Sequence, residues 1–212
     1  MGKMKKQQNK INIKKKLIIL EKTKTIVRNY GWSEKILNKL IKQGVSKSDL
    51  VYFFNNNYKE IINFSLENLN SILEDKINKI NIINFPINKR IKLIIINRMS
   101  IINKEKIFFK KTFYHLLIPQ NVKIMKKNLY KSVDSMWYLA GDNSVDFNFY
   151  TKRITLAIIY TNALFVLFNK DFQEAEVNID KNLNRISNIP KVKNRFSFIK
   201  DNLPIILKGL FN

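Results

Sequence analysis

Three observations in the sequence predict an all-α fold. Apolar residues recur at three- and four-residue spacing almost throughout the 212 residues, and no stretch keeps the period-two alternation of a half-buried strand. Glycine and proline fall between the periodic stretches. Gly31, Gly44 and Gly141 suit positions just past helix ends, Pro86 suits a first helical turn, and Pro119 and Pro190 interrupt. Hydrophobic residues make up 45% of the chain and aromatics 12%, so despite a formal charge of +23 it is too apolar for a disordered basic tail. The length suits one well-cored domain.

Taken in order, the predicted helices span about residues 14–29, 33–43, 47–53, 58–80, 86–102, 104–118, 120–140, 146–168, 171–187 and 191–210. The first should end at Gly31 and the second at Gly44. The third opens with Ser46 followed three residues later by Asp49, a capping-box-like start, and turns Leu50 and Phe54 inward one turn apart. Asn55, Asn56 and Asn57 read as turn caps before the fourth helix. Pro86 opens the fifth, Pro119 separates the sixth from the seventh, and Gly141 closes the seventh. Asp146 is placed to cap the eighth. On that helix Phe147, Tyr150, Ile154, Ile158 and Phe165 share one face, and Phe149, Leu156, Tyr160, Ala163 and Leu167 the opposite one. A helix apolar on two sides is central: one face closes the core, the other lines a ligand cavity or a subunit contact. The whole divides into a basic, flexible arm at 1–16, one helical domain at 17–189 with a head at about 17–56, and a basic amphipathic helix at 190–212. The uncharged run from Ile154 to Phe168 falls short of the roughly 20 residues a membrane span needs, so a buried helix is expected there. No secretory, transit or myristoylation signal is legible at the start.

Composition removes whole classes of chemistry. With no cysteine there are no disulfides, thiolate nucleophiles or zinc–thiolate sites. Five scattered glycines cannot build a dinucleotide fingerprint or a P-loop. The one histidine, His115, lacks a partner by sequence and reads as a core or rim residue, and it cannot supply the two Glu-x-x-His pairs of a di-iron bundle. The chain is therefore read as a non-enzyme without metal or cofactor. Glu74 and Asp75 read as a solvated helix pair. The abundance of Lys, Asn and Ile points to an A+T-rich coding sequence, so the position of the charge says more than its sum. Met1 to Lys16 carries seven lysines and no acid, and Lys191 to Asn212 carries five bases against Asp201. Ser132 to Thr151 reverses this, holding Asp134, Asp142 and Asp146 with no Lys or Arg. Such a cluster would complement a basic partner surface.

Two motifs carry family resemblance. The stretch Gly44-Val45-Ser46-Lys47-Ser48-Asp49-Leu50 is a helix–turn–helix, and Gly31 to Ile62 resembles the three-helix head of TetR-type repressors. Gly31 to Glu60 holds five lysines against three acids, a net +2 that gives counterion release little to work with, so nucleic acid is not the expected partner. The second motif is Met136-Trp137-Tyr138-Leu139-Ala140-Gly141-Asp142-Asn143-Ser144-Val145-Asp146-Phe147-Asn148-Phe149-Tyr150-Thr151-Lys152-Arg153. It strongly resembles the signature of the Coq-nine type ubiquinone-biosynthesis lipid-binding proteins, with Gly31-Trp32, Arg90 to Pro119 and Asp171-Phe172 also similar. That resemblance implies a TetR-like fold and a homodimer that binds isoprenoid quinone intermediates and presents them at the membrane to the di-iron demethoxyubiquinone hydroxylase. Carried over by position, the partner surface falls on Asp134, Met136, Asp146, Asn148, Phe149 and Tyr150, with Trp137 and Arg153 beside them. Phe149 stands where the family usually has Trp, which costs an indole donor and contact area.

Two further surfaces complete the expectation. Phe196, Ile199, Leu203, Leu207 and Leu210 form a stripe beside Lys200 that would lie in the headgroup layer. A lipid tail would lie among Ile91, Ile94, Ile95, Phe109, Phe113, Leu156, Tyr160 and Leu164. The expected location is peripheral, on the cytoplasmic face of a bacterial inner membrane or the matrix side of a mitochondrial one. The alternatives are a TetR-type ligand-responsive repressor and a non-specific basic nucleic-acid or membrane-surface protein.

Overall fold

A computed structural model describes residues 2–144 and 147–187, with the side chains of 2–6, 147, 148, 186 and 187 left aside. Among the described residues nine α-helices follow one another: α1 Gly2–Tyr30, α2 Lys35–Lys42, α3 Lys47–Phe54, α4 Tyr58–Ile77, α5 Ile87–Lys104, α6 Lys106–Leu116, α7 Val122–Leu139, α8 Phe147–Asn169 and α9 Phe172–Ser187. A 3-10 turn at Pro119–Asn121 sits between α6 and α7. No strand occurs among the described residues, so the fold is all-α. One expectation changes at the start. Residues 2–16 do not form an arm ahead of the first helix but its opening turns, where Lys15 donates to Asp49 at 3.2 Å and Lys16 lies over the Phe54 and Phe64 rings. The predicted tenth helix, with Phe196, Ile199, Lys200, Leu203, Leu207 and Leu210, lies outside the described residues.

The head forms as the turn chemistry dictates. Gly44, at φ 81°, ends α2: its N–H reaches Ile41 O and the Val45 N–H reaches Leu40 O, while Val45 itself is buried. Ser46 Oγ then accepts from Asp49 N at 3.0 Å and starts α3, which buries Leu50 and Phe54 as expected. Asn57 caps α4 by accepting from Lys59 N at 2.9 Å. Trp32 ties the head to the body. Its ring packs among Tyr58, Phe108 and His115, and its indole N–H donates to Thr112 Oγ1 on α6 at 2.9 Å. His115 is thus a rim histidine of an aromatic cluster, with Tyr58 Oη 3.4 Å from its Nε2.

In the body, α5 packs against α4, α7, α8 and α9, and α8 packs most extensively on α9. The core side of α8 is Leu156, Ile159, Tyr160, Ala163 and Leu167, all buried. Its other side stays open: Tyr150, Ile154, Ile158 and Phe165 are 40%, 41%, 66% and 55% exposed. The two-faced reading of this helix therefore holds. With Lys152 and Arg153 included, Phe149–Asn169 is 21 residues and by length and composition alone could cross a membrane, longer than the uncharged run from Ile154 to Phe168. What makes it a bundle helix is the packed face.

Candidate functional site

The site grows from the corner between α7 and α8. Helix α7 ends in a Schellman motif: Gly141 N–H reaches Tyr138 O and Asp142 N–H reaches Trp137 O, at a Gly141 φ of 80°. A side chain at 141 would also meet Arg90 Nη1, which donates to Ala140 O at 3.0 Å. Asp142 is turned inward, its side chain 3% exposed. Lys152 Nζ donates to its Oδ1 at 2.6 Å, and Ser144 Oγ to its Oδ2 at 2.7 Å; Arg153 Nη1 stands 3.4 Å from Oδ2. Burial alone would raise the Asp142 pKa, but the hydrogen bonds from Lys152 and Ser144 and the charge of Lys152 outweigh it and hold the carboxyl below its ordinary value.

Arg153 completes the corner. Its Nε donates to Asp134 Oδ1 on α7 at 2.7 Å and its Nη1 to Phe149 O at 3.1 Å, and its guanidinium lies 3.3 Å from the Phe149 ring centroid. The Trp137 indole donates to Lys152 O at 3.1 Å. Two of the three acidic residues of this window are therefore paired with cations of α8, one of them almost wholly buried. The expectation that the cluster meets a basic partner as free charge is corrected for Asp142, whose carboxylate is engaged inside the chain, and limited for Asp134, which stays 43% exposed beside Arg153.

The predicted partner residues separate into surface and interior. Tyr150 is exposed, Phe149 is half-buried with its ring edge-on to Tyr150, and Asp134 keeps an open side. Met136 is a correction: at 0% exposure it belongs to the core and offers no surface. Trp137 and Arg153 are buried at 9% and 7% and act on the shape of the corner instead. Asp146 and the Asn148 side chain lie outside the described residues. Asp142, Ser144 and Lys152, which join the corner together, were missed as site residues, and so was Tyr138, a 75% exposed aromatic at the same end of α7.

Behind the corner, between α4, α5, α6, α7 and α8, lies a cavity of about 220 Å³. Its walls are apolar apart from a few hydroxyls and amides, and include Phe109, Phe113, Tyr160 and Leu164. These four of the predicted tail-lining residues are brought together. Ile91, Ile94, Ile95 and Leu156 are instead packed in the core and do not line it, because the helix rotation that turns them inward points them at neighbouring helices. A wider, more open groove of about 700 Å³ runs along the exposed stripe of α8 past Tyr150, Ile154, Ile158 and Phe165. The two share Phe113, Leu117, Leu129 and Thr161 as wall, so the cavity lies directly beneath the groove.

Fold and site together define an all-α bundle with an apolar cavity set behind an ion-paired helix corner. Residues 122–190, which carry that corner and one wall of the cavity, match the family model described as COQ9, so the resemblance legible in the motif is shown for this part of the chain. The chain is similar to the ubiquinone biosynthesis protein COQ9, mitochondrial, of Rattus norvegicus, at 39% identity over 77 residues, covering 35% of this chain and 25% of that one. The protein of the same name from Homo sapiens is 35% identical over 77 residues, covering 35% and 24%. The probable ubiquinone biosynthesis protein coq9, mitochondrial, of Dictyostelium discoideum matches more widely, at 28% identity over 167 residues, 72% of this chain and 52% of that one. The matched region thus spans from about a quarter to about half of these relatives.

Proposed function

We propose that this chain is a non-catalytic, lipid-binding accessory protein of ubiquinone biosynthesis, with a TetR-like arrangement of its helices. It takes an isoprenoid quinone intermediate from the bilayer and presents it to the membrane-associated demethoxyubiquinone hydroxylase. The observation that carries the reading is the apolar cavity beneath the open groove of α8, in the part of the chain that matches COQ9. An apolar cavity suits an isoprenoid tail, and a groove that shares its wall supplies a route. The partner would dock beside the corner, on Tyr150, Phe149 and the open side of Asp134. The chain would work as a homodimer, and its basic ends would hold it at an anionic membrane, on the matrix side in a mitochondrion.

The test is mass spectrometry of the organic extract of gently purified protein, beside a buffer blank and an unrelated basic protein. An isoprenoid quinone precursor enriched over both controls is the expected result. A clean extract, with tight salt-sensitive duplex binding by a parallel aliquot, would replace this reading with a repressor.

A further inference from the structure

One wall of the cavity is unlike the others. Ser132 and Tyr160, both lining it, are held from behind by Arg98, whose side chain is 0% exposed. Arg98 Nε donates to Tyr160 Oη at 2.7 Å, Nη2 to Ser132 Oγ at 2.8 Å and Nη1 to Asn70 Oδ1 at 2.7 Å. All three acceptors are neutral, and no aspartate or glutamate among the described residues pairs with it. Its only other described partner is the Tyr160 ring, 5.2 Å from its Cζ. A guanidinium carries a full positive charge, so one is buried here without a counter-charge among the described residues. The other buried arginine, Arg153, has two carboxylates.

The hydroxyls transmit that charge. An oxygen that accepts from a cation is polarised, and its own O–H becomes a stronger donor. The Tyr160 O–H meets no acceptor among the described residues, and Ser132 Oγ reaches only Asn70 Oδ1, at 3.5 Å. The Tyr160 O–H therefore remains unspent on the wall of an otherwise apolar space, and the Ser132 O–H is held only by a long bond to Asn70 Oδ1 at 3.5 Å.

We propose that Arg98, acting through Tyr160 and Ser132, makes this wall the head end of the cavity, so that it takes an amphiphile with an acceptor oxygen at its head and holds an anionic one more tightly than a neutral one. Its carboxylate or phenolate oxygen takes the two hydroxyls, and its apolar tail runs past Phe109, Phe113 and Leu164. Arg98 is a positioning residue that sets ligand class without itself lining the space. This inference rests on the lipid-binding reading of the same cavity.

Octanoate and 1-octanol share a tail and differ in the head, so calorimetric titration of the full chain with each, at pH 7.5 and 0.15 M salt, isolates the effect. Octanoate should bind at least about tenfold more tightly, the scale of one charge-assisted hydrogen bond. The double variant Tyr160→Phe, Ser132→Ala keeps the net charge and the buried cation but removes both donors, and should bring the two affinities within about twofold. Arg98→Met should do the same. If that variant does not fold, the hydroxyl variant decides alone. Equal affinities in the native protein, or an octanoate preference that survives the double variant, would overturn the inference, as would failure of both probes to bind. An isoprenoid-enriched extract together with equal affinities would retire the head assignment and leave the lipid-binding reading standing. A clean extract with no binding of either probe would remove both.

Discussion

At the scale of single residues, the corner rests on a carboxylate that is 3% exposed and still ionised, because two cations and a hydroxyl surround it. Replacing Asp142 by Asn leaves Lys152 and the nearly buried Arg153 without their shared anion. We expect a loss of about 2 kcal/mol in urea unfolding, less than for a fully buried broken pair because Lys152 is partly solvated and Arg153 keeps Asp134. The pH dependence has a definite sign. Since the folded Asp142 pKa lies below its ordinary value of about 3.9, the stability it contributes is complete above that value. It is lost as pH falls through the lower folded value, and the Asn variant should lack this acid-side loss. His115 is the one histidine of the chain. Burial first, and then the charge of Lys59, hold it below the ordinary value of about 6.5. As pH drops below 6.5 the unfolded chain takes up the proton before the folded one, so stability declines over that window. A proton NMR titration of the single histidine should give a midpoint below 6.5, and a midpoint above it would contradict the packing of Trp32 and Tyr58 around the ring.

At the scale of elements, most of the helices and their ends were legible because the signals are local. Ser46 and Asp49 specify the start of α3 whatever surrounds them, and Ser46→Ala should cost about 1 kcal/mol of stability in denaturant unfolding. Gly44 and Gly141 mark ends through their positive φ, which other residues adopt only with strain. The two apolar faces of α8 were equally legible, since they depend on spacing alone. Which face would be left open was not, because that depends on where α9 and α7 come to rest. With Ile158 and Phe165 more than half exposed, Ile158→Lys and Phe165→Lys should change the stability of the fold by less than about 0.5 kcal/mol. If the stripe pairs two copies, the same variants should shift light scattering from dimer to monomer. A dimer that survives both changes would move the interface elsewhere.

At the scale of the whole molecule, the groove reaches the corner at Tyr150 and Arg153 and shares a wall with the cavity, so under the proposed function the three would serve a single exchange of ligand between bilayer and partner. Tyr150→Ala removes an exposed ring without touching an ion pair, so it should abolish capture of the hydroxylase in a pull-down while the lipid content stays unchanged. Phe149→Lys is a harsher change, because it sets a second cation beside the Arg153 guanidinium that now rests on the ring. It should weaken capture and also lower stability by about 1 kcal/mol. Normal capture by the Tyr150 variant would place the docking surface away from the corner.

Periodicity, capping residues and turn glycines determined the all-α class, the order of the helices and most of their bounds, because each depends on neighbours within about one turn. The motif from Met136 to Arg153 likewise carried its resemblance in the residues themselves. Tertiary structure alone decided which members of that motif meet solvent: it placed Met136 in the core and turned Asp142 inward against Lys152 and Arg153, partners ten and eleven residues away across a helix corner. It also separated the lining of the cavity from the rest of the core, a distinction of helix rotation that apolar spacing does not encode. Arg98 shows the division most clearly. It shares the buried face of α5 with Ile91, Ile94, Ile95 and Ile102, and its neighbours there come from α4, α7 and α8. Only their packing around it sets a buried arginine behind two hydroxyls of a cavity wall.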